Sequence, residues 1–101
     1  MIPVVLSPLA RHDIEAIWDY IAHENLDAAD RLIRSFEAAF SRLADFPQIG
    51  HRRPDLTPHP LLFWSMHRLL IVYHPTPAAV LIVRILSGYQ DLVEALSDAS
   101  T

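Results

Sequence analysis

The side chains of this 101-residue sequence with chemistry beyond core building are four arginines, two histidines and two tyrosines: Arg52, Arg53, Arg68, Arg84, His67, His74, Tyr73 and Tyr89. An arginine fork matches a carboxylate or a phosphate through two parallel hydrogen bonds. A histidine or tyrosine beside such a fork supplies the proton transfers that RNA cleavage needs, while the cation stabilises charge building at phosphorus. A nuclease reading therefore draws on Arg68, His67, Arg84 and Tyr89, with His74 and Tyr73 as further candidates. A binding reading uses Arg52, Arg53, Arg68, Tyr73, Arg84 and Tyr89 as contacts to a macromolecular partner.

Arg84 is the most informative single position, because it interrupts the apolar run Ala79 to Leu86. A charge inside such a strand must meet a carboxylate, reach a sheet edge or face a partner. Asp13 and Glu15, on a predicted helix, are the acids available for a structural salt bridge, and contact with a partner is the alternative. Arg52 and Arg53 sit in a proline-rich connection, as a solvated charge pair or as a grip on a carboxylate or phosphate. Arg68 opens a predicted strand, and whether it shares a face with Arg84 depends on the hairpin register.

Composition narrows the classes. All eight basic residues are arginine and the net charge is −4. That balance argues against gripping nucleic acid by bulk electrostatics and leaves room for a local arginine patch. The six histidines show no ligand spacing, so no metal is expected, and with two glycines there is no phosphate-cradling loop and no expected cofactor. Cysteine is absent, which fits a cytoplasmic location. The longest apolar run, Ala78 to Val83, is far short of the roughly 20 residues of a membrane span, and the first residues lack the basic start of a signal peptide. The 51% hydrophobic content and mean hydropathy of +0.21 allow one well-formed core over residues 1–101, with apolar surface to spare for a partner.

The elements that must position these residues follow from spacing. Residues 2–6 form a short strand. Ser7 and Pro8 are an N-cap and first-turn pair, and Ile14, Ile17, Trp18 and Ile21 give one apolar helix face. After a break at residues 23–25, Asp27 is the next N-cap candidate. Ala29, Leu32, Ile33, Phe36, Phe40 and Leu43 then line a second helix that ends before Pro47 and Gly50. Residues 47–60 are expected to be extended or irregular. Three strands follow at 61–65, 68–74 and 79–86, the last two joined by a turn at Pro75-Thr76-Pro77. The last strand, apolar at both parities, is expected to be central and covered on both sides. A short helix over Gln90 to Ser97 closes the chain. The fold class is α+β, with an N-terminal strand, an antiparallel αα-hairpin packed on a mostly antiparallel β-meander, and a short C-terminal helix.

Five stretches, in order, resemble the ParE branch of the RelE/ParE toxin–antitoxin superfamily. Asp13-Ile14-Glu15-Ala16-Ile17-Trp18-Asp19-Tyr20-Ile21-Ala22 and Ala28-Ala29-Asp30-Arg31 are similar to its helical signatures. Leu43 to Leu56, with Pro47, Gly50 and Arg53, is similar to its "L-A-x-x-P-x-x-G-x-x-R-x-x-L" stretch. Arg68 to Tyr73 stands at an aromatic-rich strand, and Val83 to Asp91 parallels "V-R-V-L-H-G-x-R-D". The resemblance implies a bacterial toxin, of the kind linked to plasmid stabilisation, neutralised by a ParD-like or similar antitoxin whose C-terminal segment wraps it. DNA would then be met only indirectly, through the antitoxin, and no membrane is involved. ParE-like members are associated with DNA gyrase inhibition, RelE-like members with ribosome-dependent mRNA cleavage. In RelE-like nucleases the region of Arg84 supplies a phosphate-contacting arginine. Here Ser87 stands where the pattern carries histidine, and Gln90 where it carries arginine, so an acid/base and a cation are lost together. The sequence thus favours a binding inhibitor over a ribonuclease, and a non-toxic member retaining only antitoxin binding is the third reading.

Overall fold

The computed structural model describes residues 2–87. Strand β1, Val4–Leu6, runs straight into the predicted helix start. Ser7 is extended, and its hydroxyl accepts the Ala10 N–H at 3.0 Å, while Pro8 opens helix α1, Pro8–Ala22. Proline fits there because the first helical N–H has no intrahelical partner to lose. Helix α2, Leu26–Asp45, is capped by Asn25 rather than the expected Asp27. Asn25 is the residue that leaves helical geometry (φ −155°, ψ 101°), which brings its Oδ1 within 3.0 Å of the Ala28 N–H. Asp27 falls in the first turn instead, where a carboxylate still favours the positive end of the helix dipole.

Part of the 47–60 connection is ordered as a two-residue strand, β2, His51–Arg52, paired antiparallel with the next strand. Strands β3 (Leu62–Met66), β4 (Leu69–Pro75) and β5 (Val80–Ser87) each begin and end one residue later than the expected runs, β5 included. Backbone pairing, not hydropathy, sets these ends. At the β4–β5 turn Thr76 Oγ1 accepts from Ala79 N–H at 3.0 Å and donates to the Ala79 carbonyl at 2.9 Å.

The strand order is β1-β5-β4-β3-β2, antiparallel except that β1 lies parallel to β5. The sheet is therefore mixed, with the first strand beside the last. One face carries Leu62, Ile71, Tyr73, Val80, Ile82 and Ile85 against Ala10, Phe36, Ala39 and Leu43 of the helical hairpin. Alternation sends Phe63, Val72 and Leu86 to the other face, where Leu56, Leu61, Leu70 and Val83 pack on them.

A β-bulge in β5 changes this alternation. Tyr73 faces Ile82 and Val72 faces Arg84, leaving Val83 without a partner across the strand pair. Ile82 and Ile85 can then both point into the helix-side core although they are three residues apart. Strand β5 is interior, as expected, but its double-sided cover is only partial. Leu81 is 38% exposed and Val83 half-buried, with no described helix over that face. The expected helix over Gln90 to Ser97 lies outside the described residues.

Candidate functional site

Arg84 is tied to the helical hairpin. Its Nε donates to Asp13 Oδ2 at 2.8 Å and its second guanidinium nitrogen to Asp13 Oδ1 at 2.9 Å, a two-bond fork between side chains only 16% and 12% exposed. The same Asp13 Oδ2 accepts the Ile85 N–H at 3.0 Å. The register of β1 stops at Leu6 opposite Ile82, so beyond that point the β5 backbone has no strand on that side. Asp13 fills the gap for Ile85, and Ser7 does so just before it, donating from its N–H to Ile82 O at 2.9 Å and from its hydroxyl to Val83 O at 2.7 Å. The start of α1 thus clamps the bulge and fixes Arg84 in one operation. Of the two acids considered from the sequence, Asp13 takes the pair.

Tyr73 is completely buried. Its hydroxyl donates to the Pro47 carbonyl at 2.8 Å and accepts the Gly50 N–H at 2.9 Å, pinning the α2–β2 connection to the sheet. Burial pushes its pKa above the usual phenol value, and the Gly50 N–H opposes that rise. Gly50 is required by close approach, since a Cβ there would lie 2.7 Å from the Tyr73 hydroxyl. Tyr73 therefore presents no surface to a partner, whatever its residue type suggested.

Arg52 is exposed on the outermost strand. Arg53, next to it, forks onto Asp55 at 3.0 and 2.8 Å, and that hydrogen bond lowers the Asp55 pKa. Arg68 and Arg84 are not neighbours. Leu69 pairs with Ser87 and Val72 with Arg84, which sets them about four residues apart along the hairpin, on the order of 13 Å. His74 Nδ1 lies 3.3 Å from the Pro60 carbonyl oxygen, and Tyr89 is outside the described residues.

His67 and Arg68 do come together with residues that the sequence did not single out. They form the two-residue turn between the paired Met66 and Leu69, and His67 is the one described non-glycine residue with a positive φ, 56°. Its Nε2 sits 3.3 Å from Ser35 Oγ on α2. With Arg31 they rim an open groove of about 560 Å³ whose floor is Ile17, Ile21, Leu32 and Leu69. Arg31 and Ser35, four apart on α2, were legible as one helix flank. Their approach to the β3–β4 turn depends on tertiary packing and leaves no local signal.

An αα-hairpin on a mixed five-stranded sheet defines a small α+β domain. The sequence matches the family described as the ParE toxin of type II toxin-antitoxin system, parDE, over residues 4–92, and the chain belongs to that family. The structure is similar to a chain of the chromosomal ParDE toxin–antitoxin system from P. aeruginosa, with a TM-score of 0.71 at 16% identity, covering 88% of this chain and 98% of that one. At that identity the likeness concerns the fold. Among curated proteins no match is found.

Proposed function

We propose that this chain is a toxin that inhibits by binding a protein target, DNA gyrase, and is silenced by a cognate antitoxin whose C-terminal segment covers its surface. The observation that carries binding over cleavage is the dispersal of the acid/base set. Arg84 is engaged by Asp13, Tyr73 is sealed in the core, and the His67–Arg68 turn lies roughly 13 Å along the hairpin from Arg84. An RNA-cleaving site needs base, acid and cation within hydrogen-bond reach of one phosphate. What these side chains support instead is a folded scaffold offering separate contact patches.

Induced expression in a bacterial host, followed by a supercoiling assay with purified gyrase and primer extension on cellular mRNA, tests the proposal. Growth arrest with loss of supercoiling and intact transcripts is the expected outcome. Codon-phased cuts in mRNA would sink the gyrase reading. Absence of arrest, with antitoxin binding retained, would leave only the antitoxin-binding role.

A further inference from the structure

The hollow beside the β3–β4 turn has two unlike parts. Its floor is aliphatic, built from Ile17, Ile21, Leu32 and Leu69, and the ionisable groups on its rim are Arg31, His67 and Arg68. No carboxylate lines it, although the chain carries a net −4. Neither Arg31 nor Arg68 forms an ion pair with a described carboxylate. At about 560 Å³ it falls within the size range of small-molecule sites, which combine largely apolar walls with a few polar groups that fix orientation.

Hydrogen bonding shows how the rim is assembled. Ser35 Oγ donates its one proton to the Arg31 carbonyl at 3.1 Å, so at the 3.3 Å contact with His67 the imidazole Nε2 is the donor. That bond ties the β3–β4 turn to α2 and leaves Ser35 no proton for a ligand. Arg31 stands one helical turn before Ser35 and Arg68 follows His67, so the two arginines flank the same contact. The site thus presents cations at its rim and hydrocarbon beneath. A sugar or a base seated on that floor would leave its hydroxyls and ring nitrogens without partners, whereas an acyl chain needs none.

We infer that this site binds a medium-chain fatty acid, its carboxylate on Arg31 and Arg68 and its unbranched tail on Ile17, Ile21, Leu32 and Leu69. An arginine fork takes a carboxylate or a phosphate alike, so a free acid and an anionic lipid headgroup share the chemistry of the rim. The free acid is the assigned source, because a tail lying along the aliphatic floor has left any bilayer. The ligand stands apart from the toxin reading, which growth arrest decides.

Isothermal titration of decanoate into the full chain tests it, with octanoate, acetate and decyltrimethylammonium as comparisons. Decanoate is expected to bind with a single-site isotherm. Octanoate, shorter by two methylenes, should bind up to about tenfold more weakly. Acetate and the cationic tail should not bind measurably. Arg31→Gln with Arg68→Gln should weaken decanoate on the order of tenfold or more while the thermal midpoint stays close to that of the parent chain. Arg31→Lys with Arg68→Lys should retain most of the affinity. Failure of decanoate to bind overturns the inference, and so does undiminished binding in a glutamine variant that melts normally. Equal binding of the cationic tail also overturns it, since the arginines would then play no part. Co-sedimentation of the chain with phosphatidylglycerol vesicles, lost in the glutamine variant while free decanoate stays unbound, would assign the arginines to a bilayer surface and overturn it as well.

Discussion

At the residue scale, Asp13 and Arg84 explain why an arginine stands inside an apolar strand. Asp13 satisfies the guanidinium and the Ile85 N–H together, so removing it strands a charge and a backbone donor. Asp13→Ala is expected to lose about 3 kcal/mol or more in urea denaturation, whereas Asp13→Asn with Arg84→Met should lose less, because no unpaired charge remains. Equal losses would mean the ion pair is incidental. Arg84→Ala should accordingly abolish folding or toxicity; a normally folded, fully toxic variant would remove Arg84 from the functional account. Tyr73 makes a prediction about pH. Its folded pKa is raised above the ordinary phenol value of 10.0 that the unfolded chain carries, so above that value the unfolded chain binds fewer protons than the folded one. Stability should be intact below pH ~10 and fall as pH rises above it, and the fall should be smaller in Tyr73→Phe. That variant should also lose roughly 1–3 kcal/mol at neutral pH, since Pro47 O and the Gly50 N–H are left without their partner. Urea melts at pH 7 and pH 10.5 check both statements.

At the element scale, the bulge at Val83 shows what the sequence could and could not disclose. Helices α1 and α2, their hairpin and the three-strand meander were legible because caps, prolines and hydrophobic period are local properties. The pairing of Arg84 with an acid at Asp13 or Glu15 was legible too, because a charge in an apolar strand needs a partner. Neither the bulge nor the parallel β1–β5 pairing was, since both arise from contacts across more than 70 residues. The apolar stretch Val80 to Val83 suggested cover on both sides, whereas the bulge instead lets Ile82 and Ile85 share one face. Val83 is the extra residue of the bulge, so deleting it should leave Ile82 and Ile85 facing the helices and Arg84 opposite Val72 in a regularly alternating strand. That variant is expected to melt cooperatively at a lower temperature, because the Ser7 hydroxyl loses its place on the Val83 carbonyl. Val83→Ala keeps the bulge and should melt closer to the parent chain. Loss of the cooperative transition on deletion would show that the bulge does more than reconcile the spacing of Ile82 and Ile85.

At the scale of the whole molecule, the sheet order ties the beginning of the described chain to its end. Val4 lies opposite Val80 in parallel register, the Val80 N–H donates to the Pro3 carbonyl at 2.9 Å, and the Ser7 N–H donates to Ile82 O at 2.9 Å. Val80 and Ile82 are fully buried, and Val4 and Leu6 pack on the same core. Strand β1 is only three residues long, yet it closes one edge of an interior strand and delivers Ser7 and Asp13 to the bulge. Pairing across such a separation carries a loop-closure cost that local elements do not, so β1 docking is set by the rest of the fold being in place. Deleting residues 2–6 should leave the αα-hairpin with measurable helical circular dichroism while the near-ultraviolet signal and the cooperative transition are lost. The helices retain their own caps at Ser7 and Asn25, but the sheet loses the edge that orients them. A shortened chain that melts cooperatively near the full-length temperature would show that β5 is held by β4 and the helices alone. In that case Asp13 and Ser7, not β1, close that edge of the sheet.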